Sequence, residues 1–207
     1  MTKPSIRPAV PQDALIASHL IYMSMGRLAD FLFGSNNPVK AKNVLRDLFL
    51  QQRNRFAYPF TDVLEVNNAP AGLLQSYSGQ MMQQLARPMG RQMLALNGLA
   101  AFVQFLWKSL PLAVIREVET DEYFINTVAV LPGFQGQGIG THLLLYAEEK
   151  AKEQDLLKCS LSVAIDNDRA RSLYESLGYQ VVKTTRLSRM ERQIGYKGIQ
   201  RMVKVLG

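Results

Sequence analysis

The chain has 207 residues, hydrophobic and charged fractions of 47% and 20%, one cysteine and a formal net charge of +7. That length suits a single domain with a substantial core, and the composition excludes wholesale disorder. The single cysteine, Cys159, excludes an internal disulfide and a cysteine-rich metal site, and its place in an alternating apolar run marks it as a packing residue.

The amino-terminal stretch MTKPSIRPAVPQD carries no apolar leader core, so a cytoplasmic location is expected. Within it SIRPAV reads as a first strand. Asp13 is placed to cap a helix whose inner face would be Leu15, Ile16, Leu20, Leu28 and Leu32. A second helix is expected over NNPVKAKNVLRDLFLQQRNR, capped by Asn37, with Pro38 in its first turn and Val44, Leu45, Leu48 and Phe49 at helical spacing. FTDVLEV, NNAPAG and LLQSYS then read as strand, turn and strand, the hairpin pattern.

Residues 80–116 interrupt that pattern with MLALNGLAAFVQFLWKSLPLAVI, the most apolar stretch of the chain. About 20 apolar residues would suffice for a membrane span. Asn97, Gln104, Lys108 and Pro111 punctuate this one, so a helical insertion is expected instead, apolar nearly all round and covering a cleft or a partner subunit. A homodimer is compatible with such a surface. Beyond it EYFINTVAVLP reads as a strand and GIGTHLLLYAEEKAKEQ as a helix. LLKCSLSVAID alternates as a half-buried strand, with Leu157, Cys159, Leu161, Val163 and Ile165 on one face. NDRARSLYESLG is a helix stopped by Gly178. YQVVKTTRL and YKGIQRMVKV close the chain as two strands joined by a basic loop. Between Lys183 and Lys204 seven basic residues face one acid, Glu191, so this segment holds +6 of the chain's +7. Such a segment suits an anionic ligand, a nucleic acid or a membrane surface, or only a solvated face. No recognised nucleic-acid motif accompanies it, and no nucleic-acid partner is expected.

Between the last apolar strand residues and the next helix lies LPGFQGQGIGTHLL. Glycines let the chain curl tightly and bring its amides against a ligand. The first turn of the helix adds unsatisfied N–H groups and the positive end of a dipole. Together Gln135, Gly136, Gln137, Gly138, Ile139, Gly140 and Thr141 make a backbone cradle for a pyrophosphate. The Walker pattern fails, since no Gly-Lys-Ser/Thr follows, and the dinucleotide fingerprint fits poorly in spacing and position.

Gln-x-x-Gly-x-Gly after VAVLP, followed by Asn167 and ARSLYESLGY, resembles the GNAT superfamily of acyl-CoA-dependent N-acyltransferases. The matching positions are Gln135, Gly138 and Gly140, then Asn167, Ala170, Leu173, Tyr174, Gly178 and Tyr179. The resemblance is strongest from about Glu122 to Tyr179. It implies an α/β (α+β) fold over 1–207: a mixed, mostly antiparallel central sheet flanked by helices, with the helical insertion between strands 3 and 4.

The resemblance also implies a chemistry. Acetyl-CoA would be the cosubstrate, its phosphates on the amides of Gln135 to Thr141 and its pantetheine arm against the Val128–Ala129–Val130 backbone. Asn167 would touch the same arm. The acceptor would be a primary amine of a small molecule or peptide. Direct transfer needs that amine neutral, and for a lysine-like amine near pKa 10.4 this costs about 4.6 kcal/mol at pH 7. Glu122, thirteen residues before Gln135, is the candidate base, and a solvated strand-end acid is the alternative reading. Tyr174 is the candidate acid for the departing thiolate, with core packing as its alternative. His19 and His142 are too far apart in sequence to suggest a metal site, and no metal is expected. The competing function is a sensor that binds acyl-CoA without turning it over.

Overall fold

The computed structural model describes residues 4–207, the side chains at 86 and 87 excepted; the first three residues of the stretch read above for a leader lie outside it. Its strands are β1 (Ser5–Pro8), β2 (Thr61–Val66), β3 (Ala69–Ser78), β4 (Tyr123–Val130), β5 (Lys158–Ala164), β6 (Gln180–Arg186) and β7 (Gly198–Val205). They form one seven-stranded sheet in the order β1-β2-β3-β4-β5-β7-β6. Only β4 and β5 run parallel; the other neighbours are antiparallel. This is the mixed, mostly antiparallel sheet that the motifs implied. The β2–β3 hairpin turns on Asn67 and Asn68, both at positive φ (54° and 61°), the two-residue turn whose twist matches its strands.

The helices follow the apolar periods with local exceptions. In α1 (Ala14–Met25), Leu20 is buried, but Leu15 is 76% exposed and not on the inner face. Asp13 precedes α1 without capping it. Its carboxylate accepts from Arg7 at 2.8 and 2.9 Å and from the Val10 amide at 2.8 Å, so a charge partner takes the oxygens a cap would use. In α2 (Pro38–Phe49), the Asn37 side-chain oxygen does cap, accepting from the Val39 and Lys40 amides at 3.0 and 3.1 Å, and Val44, Leu45, Leu48 and Phe49 are all buried.

The insertion is α3 (Gly79–Ser109), broken where Gly98 takes φ 77° and ψ 170°. Its start is pinned to the foot of β4: the Gly79 amide donates to the Glu122 carbonyl at 2.8 Å. A Cβ at Gly79 would lie 1.8 Å from the Glu119 carbonyl oxygen, so only glycine fits there. Met89, Met93, Phe102 and Phe105 pack α3 onto α1 and α2, and Phe105 stacks on Phe33 at 5.7 Å. By length and composition alone, Gly79–Leu112 could cross a membrane.

Next come α4 (Ile139–Lys152) and α5 (Asp168–Ser176). The β6–β7 connection, expected as a basic loop, holds α6 (Ser188–Ile194) instead, anchored by the buried Met190. Two of the basic residues counted above are used inside the fold: Lys204 pairs with Glu148 at 2.7 Å and Arg201 with Glu122.

Strand alternation sorts the core onto both faces of the sheet. Val63, Leu73 and Ala129 face α1 and α2, while Leu64, Leu74, Ile125, Cys159 and Leu161 face α4. Leu157, expected to share that row, is exposed because it precedes the strand. Burial raises the Cys159 thiol to about 12, from an ordinary value near 8.5. The native thiol is therefore expected to ignore Ellman's reagent at pH 8 and to react only after unfolding in urea. The sign is set by linkage. Between those two values only the unfolded chain releases the proton, so this contribution to stability is full below about 8.5 and is lost as pH rises towards 12.

Candidate active site

β4 is held on one side along its length and on the other only at its start. Its pairing with β5 covers Tyr123, Phe124 and Ile125, opposite Cys159, Ser160 and Leu161, and ends there. The next residue, Asn126, is the extra residue of a bulge: Ile125 pairs with Ser76 and Thr127 with Gln75. A bulge bends its strand and increases its twist, and the two parallel strands separate at this point. Beyond it, antiparallel alternation sends every second backbone group to β3. Ala129 pairs with Leu73, and the Leu131 amide donates to the Ala71 carbonyl at 2.9 Å. Val128 and Val130 therefore turn their N–H and C=O groups into the gap. Ala129, expected with them at the ligand, has its backbone groups committed to β3.

The glycine loop closes the far end of this gap. Gly136 and Gly138 take φ 79° and 78°, a left-handed conformation that side chains resist, and a Cβ at either would meet nothing within 4 Å. The open space is on the outer side, where a ligand can touch bare backbone. The first helical bond of α4 is His142 N–H to Gly138 C=O at 3.0 Å; the amides of Gly136, Gln137, Gly138, Ile139, Gly140 and Thr141 have no backbone partner among the described residues. Six free donors converging at a helix start fit a diphosphate group. Gln135 braces the loop: its amide nitrogen donates to the Val130 carbonyl at 3.1 Å and its oxygen accepts from Arg169 at 2.9 Å. That bond occupies the Val130 carbonyl and leaves its N–H free. His142 is solvent-exposed.

α5 packs against the loop, with the Leu173 side chain 3.3 Å from where a Gly140 Cβ would stand. Tyr174 thereby joins the same cluster as Val128 and Val130, half-buried and edge-on to Tyr179 at 6.3 Å. Burial raises its hydroxyl to about 12, and that hydroxyl has no hydrogen-bond partner among the described residues. It is a neutral donor at any working pH. Asn167 caps α5, its oxygen accepting from the Ala170 amide at 3.2 Å; the amide nitrogen stays available.

At the apex of the gap lies a polar cluster that the sequence reading missed. Arg55 donates to Asn126 Oδ1 at 2.9 Å from Nε and at 2.5 Å from a terminal nitrogen, and its two terminal nitrogens reach Glu117 at 2.9 and 3.3 Å. Tyr196 stands in the same corner, its hydroxyl titration raised by burial and by the negative charges of Glu117 and Asp166. The one local signal was Asn126 itself, a polar residue interrupting the apolar run YFINTVAV.

Glu122 is enclosed at the foot of β4. It is 3% exposed, both its oxygens lie 2.5 Å from one terminal nitrogen of Arg201, and one of them accepts from the Glu119 amide at 2.9 Å. Arg201 also donates to the Glu117 carbonyl at 3.1 Å. The candidate residues thus divide: the loop, Val128 and Val130 border the gap, Tyr174 packs in the same cluster as the two valine side chains, and Glu122 sits in a closed ion pair at the foot of β4.

The model of the Acetyltransferase (GNAT) family matches residues 45–179. The chain is 41% identical over 61 residues to the N-alpha-acetyltransferase RimI of Mycobacterium tuberculosis, covering 30% of this chain and 37% of RimI. It is 24% identical over 122 residues to an aminoglycoside N(6')-acetyltransferase type 1 of Acinetobacter genomosp. 13, covering 58% of this chain and 82% of the relative. Among solved structures, an N-acetyltransferase from Staphylococcus aureus Mu50 superposes with a TM-score of 0.73 at 25% identity, over 96% of this chain and 99% of that one. The aligned stretch spans less than half of RimI, and 40% of a Bacillus subtilis relative.

Proposed function

From the premise that the chain belongs to the GNAT acetyltransferase family, we propose that it transfers an acetyl group from acetyl-CoA to a primary amine by direct attack. The observation that carries this reading is the continuity of the gap: outward backbone at Val128 and Val130, six amides without a backbone partner among the described residues at one end, and Tyr174 packed in the same cluster as the two valine side chains. When bound there, the thioester supplies an activated acyl group with a thiolate leaving group. The amides of Gly136 to Thr141 hold the diphosphate. The Val128 backbone and the Val130 N–H align the extended arm as an added strand would. The Asn167 amide nitrogen is a further contact to that arm. The Val130 N–H is suited to polarise the reacting carbonyl, and Tyr174 donates to the sulfur as charge develops on it.

Glu122 enters this reading as a clamp. Its oxygens are filled by Arg201 and the Glu119 amide; the ammonium's proton goes to water before attack, and the second N–H proton, released as the C–N bond forms and the C–S bond breaks, replaces the one Tyr174 gives to the sulfur. The acceptor is a small molecule or a peptide amine.

The test is incubation with acetyl-CoA and a panel of aminoglycosides, polyamines and free-amino-terminal peptides, scoring thiol release. Release that depends on one acceptor class is expected. Thiol release no faster than hydrolysis for every acceptor, with CoA binding intact by calorimetry, would overturn the catalytic reading.

A further inference from the structure

Much of the face of α3 turned away from the core is left uncovered by the described residues. Leu99, Val103, Leu106 and Trp107 recur at i, i+4, i+7 and i+8 on one side and stay exposed, Leu99 to 67% and Trp107 to 63%; Leu110 and Val114, just past the helix end, are exposed as well. Soluble surfaces seldom leave so many large apolar side chains contiguous without a use. Within this stretch the charge has one sign. From residue 79 to residue 115 the sequence contains no aspartate or glutamate, while Arg91 and Lys108 lie in that stretch. Two more cations approach the stripe from other elements. The Arg189 guanidinium of α6 sits 5.6 Å from the Trp107 ring centroid, and Lys40 of α2 shares a shallow groove with Val103 and Trp107.

We propose that this face of α3 docks on an anionic lipid surface, lying along it rather than crossing it. An apolar stripe bordered by lysine and arginine is the composition that settles at a headgroup boundary, where apolar side chains enter the acyl region and cations meet phosphates. A second copy of the chain answers the apolar stripe but not the charge, because a symmetric contact would set Lys108 and Arg189 against their own equivalents. Crossing is opposed by packing. Phe102 and Phe105 are engaged with the α1–α2 core, Phe105 stacks on Phe33, and the Ser35 hydroxyl bonds Gln104 at 2.9 Å. One side of the helix is therefore already engaged with protein.

The chain's one tryptophan is in the stripe, so the unaltered protein reports its own docking. Full-length protein is mixed with phosphatidylcholine vesicles and with vesicles containing phosphatidylglycerol, then read by sedimentation and by Trp107 fluorescence. A blue shift and co-sedimentation with the anionic vesicles only, diminishing steeply as salt is raised, is the expected result. The triple variant Leu99→Ser, Val103→Ser, Leu106→Ser should bind at least about tenfold more weakly, with an unchanged circular dichroism spectrum and unchanged acetyl transfer to a soluble amine. No shift and no sedimentation with anionic vesicles would overturn the proposal. So would a concentration-dependent dimer that the triple variant abolishes, which would make a second copy the occupant. Neither result bears on acetyl transfer, which is measured without lipid.

Discussion

Replacing Tyr174 with Phe is expected to lower kcat by about 100-fold, near the low end of what a positioned proton donor contributes, while CoA affinity changes by less than about twofold. That loss corresponds to about 2.7 kcal/mol of barrier. The ring is held by packing: it lies in the cluster of Val128, Val130 and Leu173 and meets Tyr179 edge-on, contacts that phenylalanine keeps. The hydroxyl has no hydrogen-bond partner among the described residues, so deleting it should shift stability by less than about 1 kcal/mol. The substitution therefore isolates chemistry from folding. With its titration raised to about 12, the hydroxyl stays protonated through the range where the amine titrates. Its loss should scale the pH–rate profile without moving it. Steady-state kinetics with calorimetry of CoA binding checks both parts. An unchanged kcat would remove Tyr174 from the mechanism. A wild-type chain that binds CoA and turns over nothing would favour the sensor reading instead.

What was legible in the sequence was whatever a short stretch determines by itself. Gly136 and Gly138 advertise left-handed backbone, and Asn37 with Pro38 announces a helix start. The alternation around Cys159 places a strand, because each of these signals is complete within a few residues. The long-range ion pairs around β4 are built otherwise. Arg55 and Glu117 are 62 positions apart and Arg201 and Glu122 are 79 apart, so no local period betrays their pairing. Asn126 does its work through a bulge, which depends on how β3 and β4 register and not on either strand alone. Asp13 and Glu122 share one feature that no short stretch reveals, an arginine partner. A carboxylate at an element's start looks free until the arginine that claims it is brought in by the fold. α6 was missed because seven residues dense in charge carry too short a pattern to separate a helix from a loop.

Glu122→Ala is expected to destabilise the chain by about 3–5 kcal/mol, the range for removing one partner of a buried ion pair. The cost arises from what is left behind: the Arg201 guanidinium stays enclosed at 11% side-chain exposure with no countercharge, and the Glu119 amide loses its acceptor. Arg201→Ala should cost a similar amount, since it strands Glu122 at 4% exposure and also frees the Glu117 carbonyl. The double variant should cost clearly less than the two losses added, because each single change already breaks the same interaction. Urea midpoints of the four proteins measure this coupling. Glu122→Gln separates the clamp from a base. It preserves shape and an oxygen for the Glu119 amide while removing the charge, so a clamp predicts lower stability with the pH–rate profile unmoved at a temperature where the variant is folded. A base predicts that the rising limb of that profile disappears. Additive stability losses, or the vanished limb, would return Glu122 to the chemistry; strong coupling with the limb intact would leave it as the tie that joins β7 to the foot of β4 and holds the strand whose bulge opens the gap.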